Sequence, residues 1–202
     1  MAARGRPRSF DREAVLQKAM RTFWEQGYEA TSMTELTAAM GISPPSLYAA
    51  FGSKEGLFRE AVELYGRTEA VTDLALREGA TAREAVDGML RGNAVVYTDP
   101  AKPTGCMVVL AATNCTAENE GVRELLAEGR RATRRSVRER LERGITEGDL
   151  PPGTDTHALA GFCTTVLYGM SVQARDGASR RELLDVVDSS MSAWDGLTAT
   201  TP

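Results

Sequence analysis

The chain has 202 residues, 42% of them hydrophobic and 26% charged, with a net charge of −4 at pH 7. This length supports one small domain beside one larger helical core. No run approaches the ~20 apolar residues of a membrane span, and the N-terminus lacks the apolar stretch of a secretory signal. Three cysteines without a CxxC or His-rich partner pattern argue against a disulfide framework and a structural zinc site. These features predict a cytoplasmic protein with no cofactor and no membrane partner.

The charge is unevenly distributed. Residues 1–54 carry seven Lys or Arg against five Asp or Glu, a net of +2, while the remainder holds 17 against 23, a net of −6. A local positive end on an acidic body orients a molecule against phosphates. The first eight residues, MAARGRPR, place Arg4, Arg6 and Arg8 around Gly5 and Pro7. Residues 1–8 are therefore read as a flexible basic arm able to lie extended in an A·T-rich minor groove; the plainer reading is a solubilising tail.

Ser9 or Asp11 caps a first long helix whose Val15, Ala19, Met20, Phe23 and Trp24 recur at helical spacing and which stops at Gly27. Phe23 and Trp24 are read as core rather than as a base-stacking platform. Ser32, with Glu35 three residues on, forms a capping box for a short helix carrying Met33, Leu36 and Met40, and Gly41 ends it. Ser43 caps the next helix, with Pro44 and Pro45 in its first turn, where backbone N–H groups have no intrahelical partner. Leu47 and Phe51 point inward. Ser43, Pro44, Pro45, Ser46 and Ala49 are left on the outer face as candidate groove readers. Ser53 then starts a helix with Leu57, Phe58, Val62 and Tyr65, which covers the two short ones. Thr31, Ser32 and Thr34 at a helix N-terminus, Tyr48 with its hydroxyl, and Lys54 are candidate phosphate contacts.

The segments QGYEATSM, the GIS turn, the LY of the second short helix and FGSKEGLF, in this order, resemble the DNA-binding domain of the TetR family of bacterial regulators. The resemblance runs from Phe10 to Tyr65, and it implies backbone contacts from Tyr48 and Lys54. It departs at Ala50, where many relatives carry His, and in the two prolines of the reading turn. The implied fold is all-α, with a helix-turn-helix domain over residues 9–55 and a larger ligand-binding and dimerisation domain over 56–197.

In that larger part, the helix from Lys54 is expected to continue to Gly79 as a lever. A further helix, opened by Ala80 and Thr81, carries Ala85, Met89, Val96 and Tyr97 before the break at Asp99 to Pro103. GCMVVLAATNC is read as a buried central helix with Cys106, Leu110 and Asn114 four apart. A long amphipathic helix follows, with Val122, Leu125, Leu126, Val137, Leu141 and Ile145 inward. Its cluster Arg130, Arg131, Arg134 and Arg135, interleaved with Glu, is read as a solvated face. Two final helices carry Gly161, Thr165 and Gly169, then Leu184, Val187, Met191 and Trp194, as the candidate dimer interface.

The one His, His157, has no Ser or Asp partner pattern, and neither a phosphate loop nor a metal-ligand cluster is present, so no enzyme is expected. The predicted partners are a double-stranded DNA operator, a small-molecule inducer and a second copy of the chain. Candidate ligand contacts are Met89, Tyr97, Met107, Leu110, Asn114, Phe162, Val166 and Tyr168. Two alternatives stay open: a sensor of oxidants or electrophiles acting through Cys106, whose GlyCys setting resembles such members of the family, and a protein-docking module without specific DNA binding.

Overall fold

Most helices of this chain begin where a short polar side chain closes free backbone N–H groups. The computed structural model describes residues 10–199, and every regular element in them is helical. Asp11 accepts from the N–H of Glu13 and Ala14 and opens α1 (Arg12–Gln26). Ser32 and Glu35 form the reciprocal capping box of α2 (Met33–Met40), which ends at the left-handed Gly41, φ 70°. Ser43 caps α3 (Pro44–Phe51), and Ser53 caps α4 (Lys54–Thr68). A cap of this kind stabilises by roughly 1 kcal/mol. Beyond them lie α5 (Val71–Glu78), α6 (Ala82–Tyr97), α7 (Met107–Leu110), α8 (Glu120–Glu147), α9 (Thr156–Arg175), α10 (Arg180–Ser192) and α11 (Trp194–Thr198).

Two cores divide these helices. In the first, α1 to α4 close over Phe23, Tyr28 and Phe58, with Phe23 edge-on to Phe58 at 5.0 Å and Tyr28 also 5.0 Å from Phe58. Each such pair adds about 0.5–1.5 kcal/mol beyond its buried area. Leu57, Phe58, Ala61, Leu64 and Tyr65 of α4 belong to this core, so a boundary at residue 55 cuts a helix that the helix-turn-helix needs. The second core joins α6, α8, α9 and α10 around Met89, Leu141, Leu159, Met170 and Val187.

Three expectations about elements are corrected. The lever from Lys54 does not reach Gly79. It breaks at Glu69 and Ala70, where the Thr68 hydroxyl turns back onto the Leu64 carbonyl and Glu69 is drawn to Lys102 at 2.8 Å. GCMVVLAATNC is not a long buried helix: α7 is one turn, Asn114 is exposed, and the Ala111 carbonyl accepts from the N–H of Tyr28 instead. Finally, the last helix ends at Ser192, and Trp194 opens a separate short one.

Candidate nucleic-acid interface and a cavity behind it

On the head, the outer face of α3 is small and exposed: Pro44, Pro45 and Ala49 face solvent, and Tyr48 is 49% exposed. Ser46 is half-buried, its hydroxyl 2.9 Å from that of Ser43. The inward residues Leu47 and Phe51 fix the helix from behind. Arg12 of α1 tightens the arrangement, donating to Glu60 at 2.6 Å and to the Ala50 carbonyl at 3.3 Å while its guanidinium sits 4.5 Å from the Phe51 ring. Ser32 and Thr34 are exposed at the start of α2. Lys54 lies at the edge with its ammonium 4.3 Å from the Tyr28 ring, and this burial lowers its pKa. Thr31 is a correction. It is fully buried, and its hydroxyl donates to the Gly27 carbonyl at 2.6 Å, which closes the end of α1 and removes the side chain from the outer surface. Arg4, Arg6 and Arg8 lie outside the described residues.

The joint between head and body is made mainly by backbone carbonyl acceptors, with the Glu29 carboxylate beside them. Trp24 Nε1 donates to the Gly105 carbonyl at 3.0 Å, and Arg175 of α9 donates to the carbonyls of Trp24 and Glu25. Arg21 reaches the Ala101 carbonyl at 2.9 Å. Glu29 receives the N–H of Thr116 at 2.7 Å and the amide of Asn119, and the first of these bonds holds its carboxyl below the usual range. The stretch from Ala101 to Asn119 is thus sewn to α1 and the segment after it, and α9 is tied to the end of α1.

Behind this stretch lies a cavity of about 330 Å³, walled by α4, the start of α5, α6, α8, α9 and the turn Cys106–Val109. Tyr97 and Tyr168, expected as ligand contacts, line it with Cys106, and so do Tyr65, Glu69, Asn93 and Thr133, which were not expected in a ligand site. Burial raises the pKa of Tyr65 and Tyr97, and the neighbouring Cys106 thiol adds to the effect on both. The Cys106 N–H is held by the Ser171 hydroxyl at 2.8 Å, and the Tyr168 hydroxyl donates to the Arg130 carbonyl at 2.7 Å.

Six other expected ligand contacts do not line this cavity. Met89 and Met107 are fully buried, one in each core. Leu110 packs towards Gly105, Val166 against the second core, Asn114 is exposed, and Phe162 is 38% exposed. Helical periodicity marks apolar faces, but it does not say which face meets a void. Glu69 follows Tyr65 by four residues, on the inward face of the helix, and a carboxylate at that spacing was the signal that could have found it.

The last helices divide in the same way. Thr165 is exposed and Gly161 and Gly169 half-exposed on one side of α9, together with Phe162 and Val172. Val187, Met191 and Trp194 are buried in the chain's own core, which corrects their assignment to a face open to a second copy, while Leu184 is packed only partly against it.

Two family models cover most of this chain. The model described as bacterial regulatory proteins, tetR family, matches residues 15–61, and the tetracyclin repressor-like C-terminal domain matches residues 82–188. The chain belongs to the TetR family. Among curated TetR-family relatives, the HTH-type transcriptional repressor ComR of Escherichia coli K12 is 34% identical over 96% of this chain and 94% of its own length. The repressor BdcR of the same organism is 32% identical over 89% and 86%. Among solved TetR structures, a cysteine mutant of the regulator CifR, complexed with 26 bp double-strand operator DNA, is 50% identical. It covers 94% of this chain and all of its own, with a TM-score of 0.92. TetR membership makes the chain a transcriptional regulator with a helix-turn-helix head, not an enzyme. Among the described residues no helix is long and apolar enough to cross a membrane.

Proposed function

We propose that this chain is a homodimeric repressor that grips a pseudo-palindromic DNA operator with two α3 helices and releases it when a small molecule fills the cavity behind Cys106. The observation that carries the reading is the coupling between the two sites. Cys106 lines the cavity, while Gly105, the residue before it, accepts from Trp24 of the head. A ligand that favours another arrangement of this turn shifts the spacing of the heads, and it weakens DNA binding only by the ratio of its affinities for the two states. Two heads reading neighbouring major grooves need centres about 34–36 Å apart. The operator-bound CifR structure and the repressors ComR and BdcR support the DNA partner and the sign of regulation. The exposed side of α9, with Phe162, Thr165, Gly169 and Val172, supports pairing of two copies. The place of action is the cytoplasm, with the DNA.

Selection of genomic fragments with the purified protein tests the proposal. It predicts enrichment of a pseudo-palindrome bound by one dimer, with affinity falling steeply with salt because phosphate contacts release counterions. No enriched site, or binding indifferent to salt, would favour a docking module instead.

A second reading uses the same turn. Cys106 is half-exposed towards the cavity, so an electrophile bound there would alkylate its sulfur and act as a covalent effector. Protein treated with a mild alkylating agent and still bound to its operator, with Cys106 modified by mass spectrometry, refutes it.

A further inference from the structure

The cavity has an unbalanced chemical character. The charged groups in its wall are the Glu69 and Asp73 carboxylates, and no Lys, Arg or His lines it. Three tyrosine rings, Tyr65, Tyr97 and Tyr168, stand around the same space. Aromatic faces carry a negative quadrupole and attract cations, most strongly where water is excluded. The remaining wall is apolar, with Val62, Val109 and Leu167 among it. Glu69 is only 9% exposed, and it meets its cation, Lys102, at 2.8 Å. Lys102 belongs to the loop after α6, whose Ala101 and Gly105 carbonyls hold Arg21 and Trp24 of the head. Arg130 and Arg134 are the positive groups whose charge is felt at the Tyr168 hydroxyl.

We propose that the cavity binds an organic cation, an ammonium group carried on an apolar or aromatic body, whose charge takes the Glu69 carboxylate over from Lys102. The tyrosine rings enclose the ammonium and the valine and leucine side chains take the body. Asp73 adds a second negative charge at the rim, so anions are disfavoured. Burial keeps the Tyr65 and Tyr97 hydroxyls protonated and their rings neutral near pH 7. Once Lys102 is displaced, its loop loses its tie to Glu69 at the end of α4 and keeps only its bonds to α1, so the seat of the head on this loop changes. This names the ligand class for the effector site proposed above, and only its consequence at the operator rests on that reading.

Calorimetry on the DNA-free full chain, with benzyltrimethylammonium and its uncharged carbon isostere neopentylbenzene as probes, tests the assignment. The cation is expected to bind at least tenfold more tightly than the isostere, and Glu69→Gln to erase that preference. Lys102→Met is expected to raise the affinity for the cation several-fold, because it removes the competitor for Glu69; a merely structural ion pair predicts no gain. This variant carries the test if Glu69→Gln does not fold. Equal binding of the two probes, no binding of the cation, or unchanged or weakened binding in Lys102→Met overturns the assignment and leaves the repressor reading standing. Cation binding that does not release the selected operator, followed by fluorescence anisotropy, refutes the effector reading and leaves the cation site standing.

Discussion

Gly105 stands where cavity, turn and head meet, and replacing it by Ala separates two physical costs. Its φ is +76°, a left-handed conformation that costs a side chain about 1–2 kcal/mol. A Cβ built there would lie 2.7 Å from the Ser171 carbonyl oxygen and 2.6 Å from Leu110 Cδ1, so the backbone of α9 would have to give way. Crowding of this kind costs roughly 1–3 kcal/mol. Gly177 provides the control, with φ +99° and nothing within 4 Å of its Cβ position. Gly105→Ala should therefore lose roughly 2–5 kcal/mol of stability and Gly177→Ala about 1–2, the difference being the crowding alone. Urea unfolding followed by far-UV circular dichroism, at one fixed protein concentration, measures both. Variants that agree to within about 0.5 kcal/mol would show that the packing of the turn on α9 is not a constraint. Operator affinity should fall in Gly105→Ala more than stability alone explains, because the Trp24 bond to the Gly105 carbonyl moves with it.

Further outcomes follow from individual contacts. Thr31→Val should cost about 1 kcal/mol of stability by removing the buried bond to Gly27. Thr34→Ala should instead leave stability nearly unchanged and weaken operator binding, which a salt titration of both variants resolves. Phe162→Glu should shift the protein from dimer to monomer in sedimentation with its helicity intact, whereas Val187→Ala should mainly lower the melting temperature, since Val187 is fully buried in the protomer. At pH 8, iodoacetamide should modify Cys106 and Cys115 well before Cys163. Burial pushes the Cys163 thiol up to about 12 and leaves almost no thiolate, and mass spectrometry of timed samples reads the order.

The head was legible because its signals are local. A capping box needs only Ser32 and Glu35, a left-handed stop only Gly41, and a helix start only Ser43 with two prolines. Each of these works within one turn of backbone, so the string of residues carries the physics, and the family resemblance follows the same residues. The inward faces of α1, α3 and α4 were fixed likewise by 3.6-residue periodicity.

Tertiary packing decided the rest. No residue near Glu69 breaks a helix by itself; the lever ends there because Glu69 is drawn to Lys102, 33 residues away, and α5 turns onto α6 and α8. Thr31 reads as a surface cap until the Gly27 carbonyl claims its hydroxyl. The arginine cluster of α8 reads as uniform, yet Arg131 and Arg135 pair with Glu124 and Glu128 in solvent while Arg130 holds the Val108 carbonyl beside the cavity. Arg140 is buried and donates to the Gly79 carbonyl. Sequence by itself determined the helices and their caps, because caps and periodicity are short-range, and its resemblance to the TetR family implied the regulator. The place and charge of the cavity, and which apolar face stays open to a second copy, depend on residues tens of positions apart, and only the packed helices bring them together.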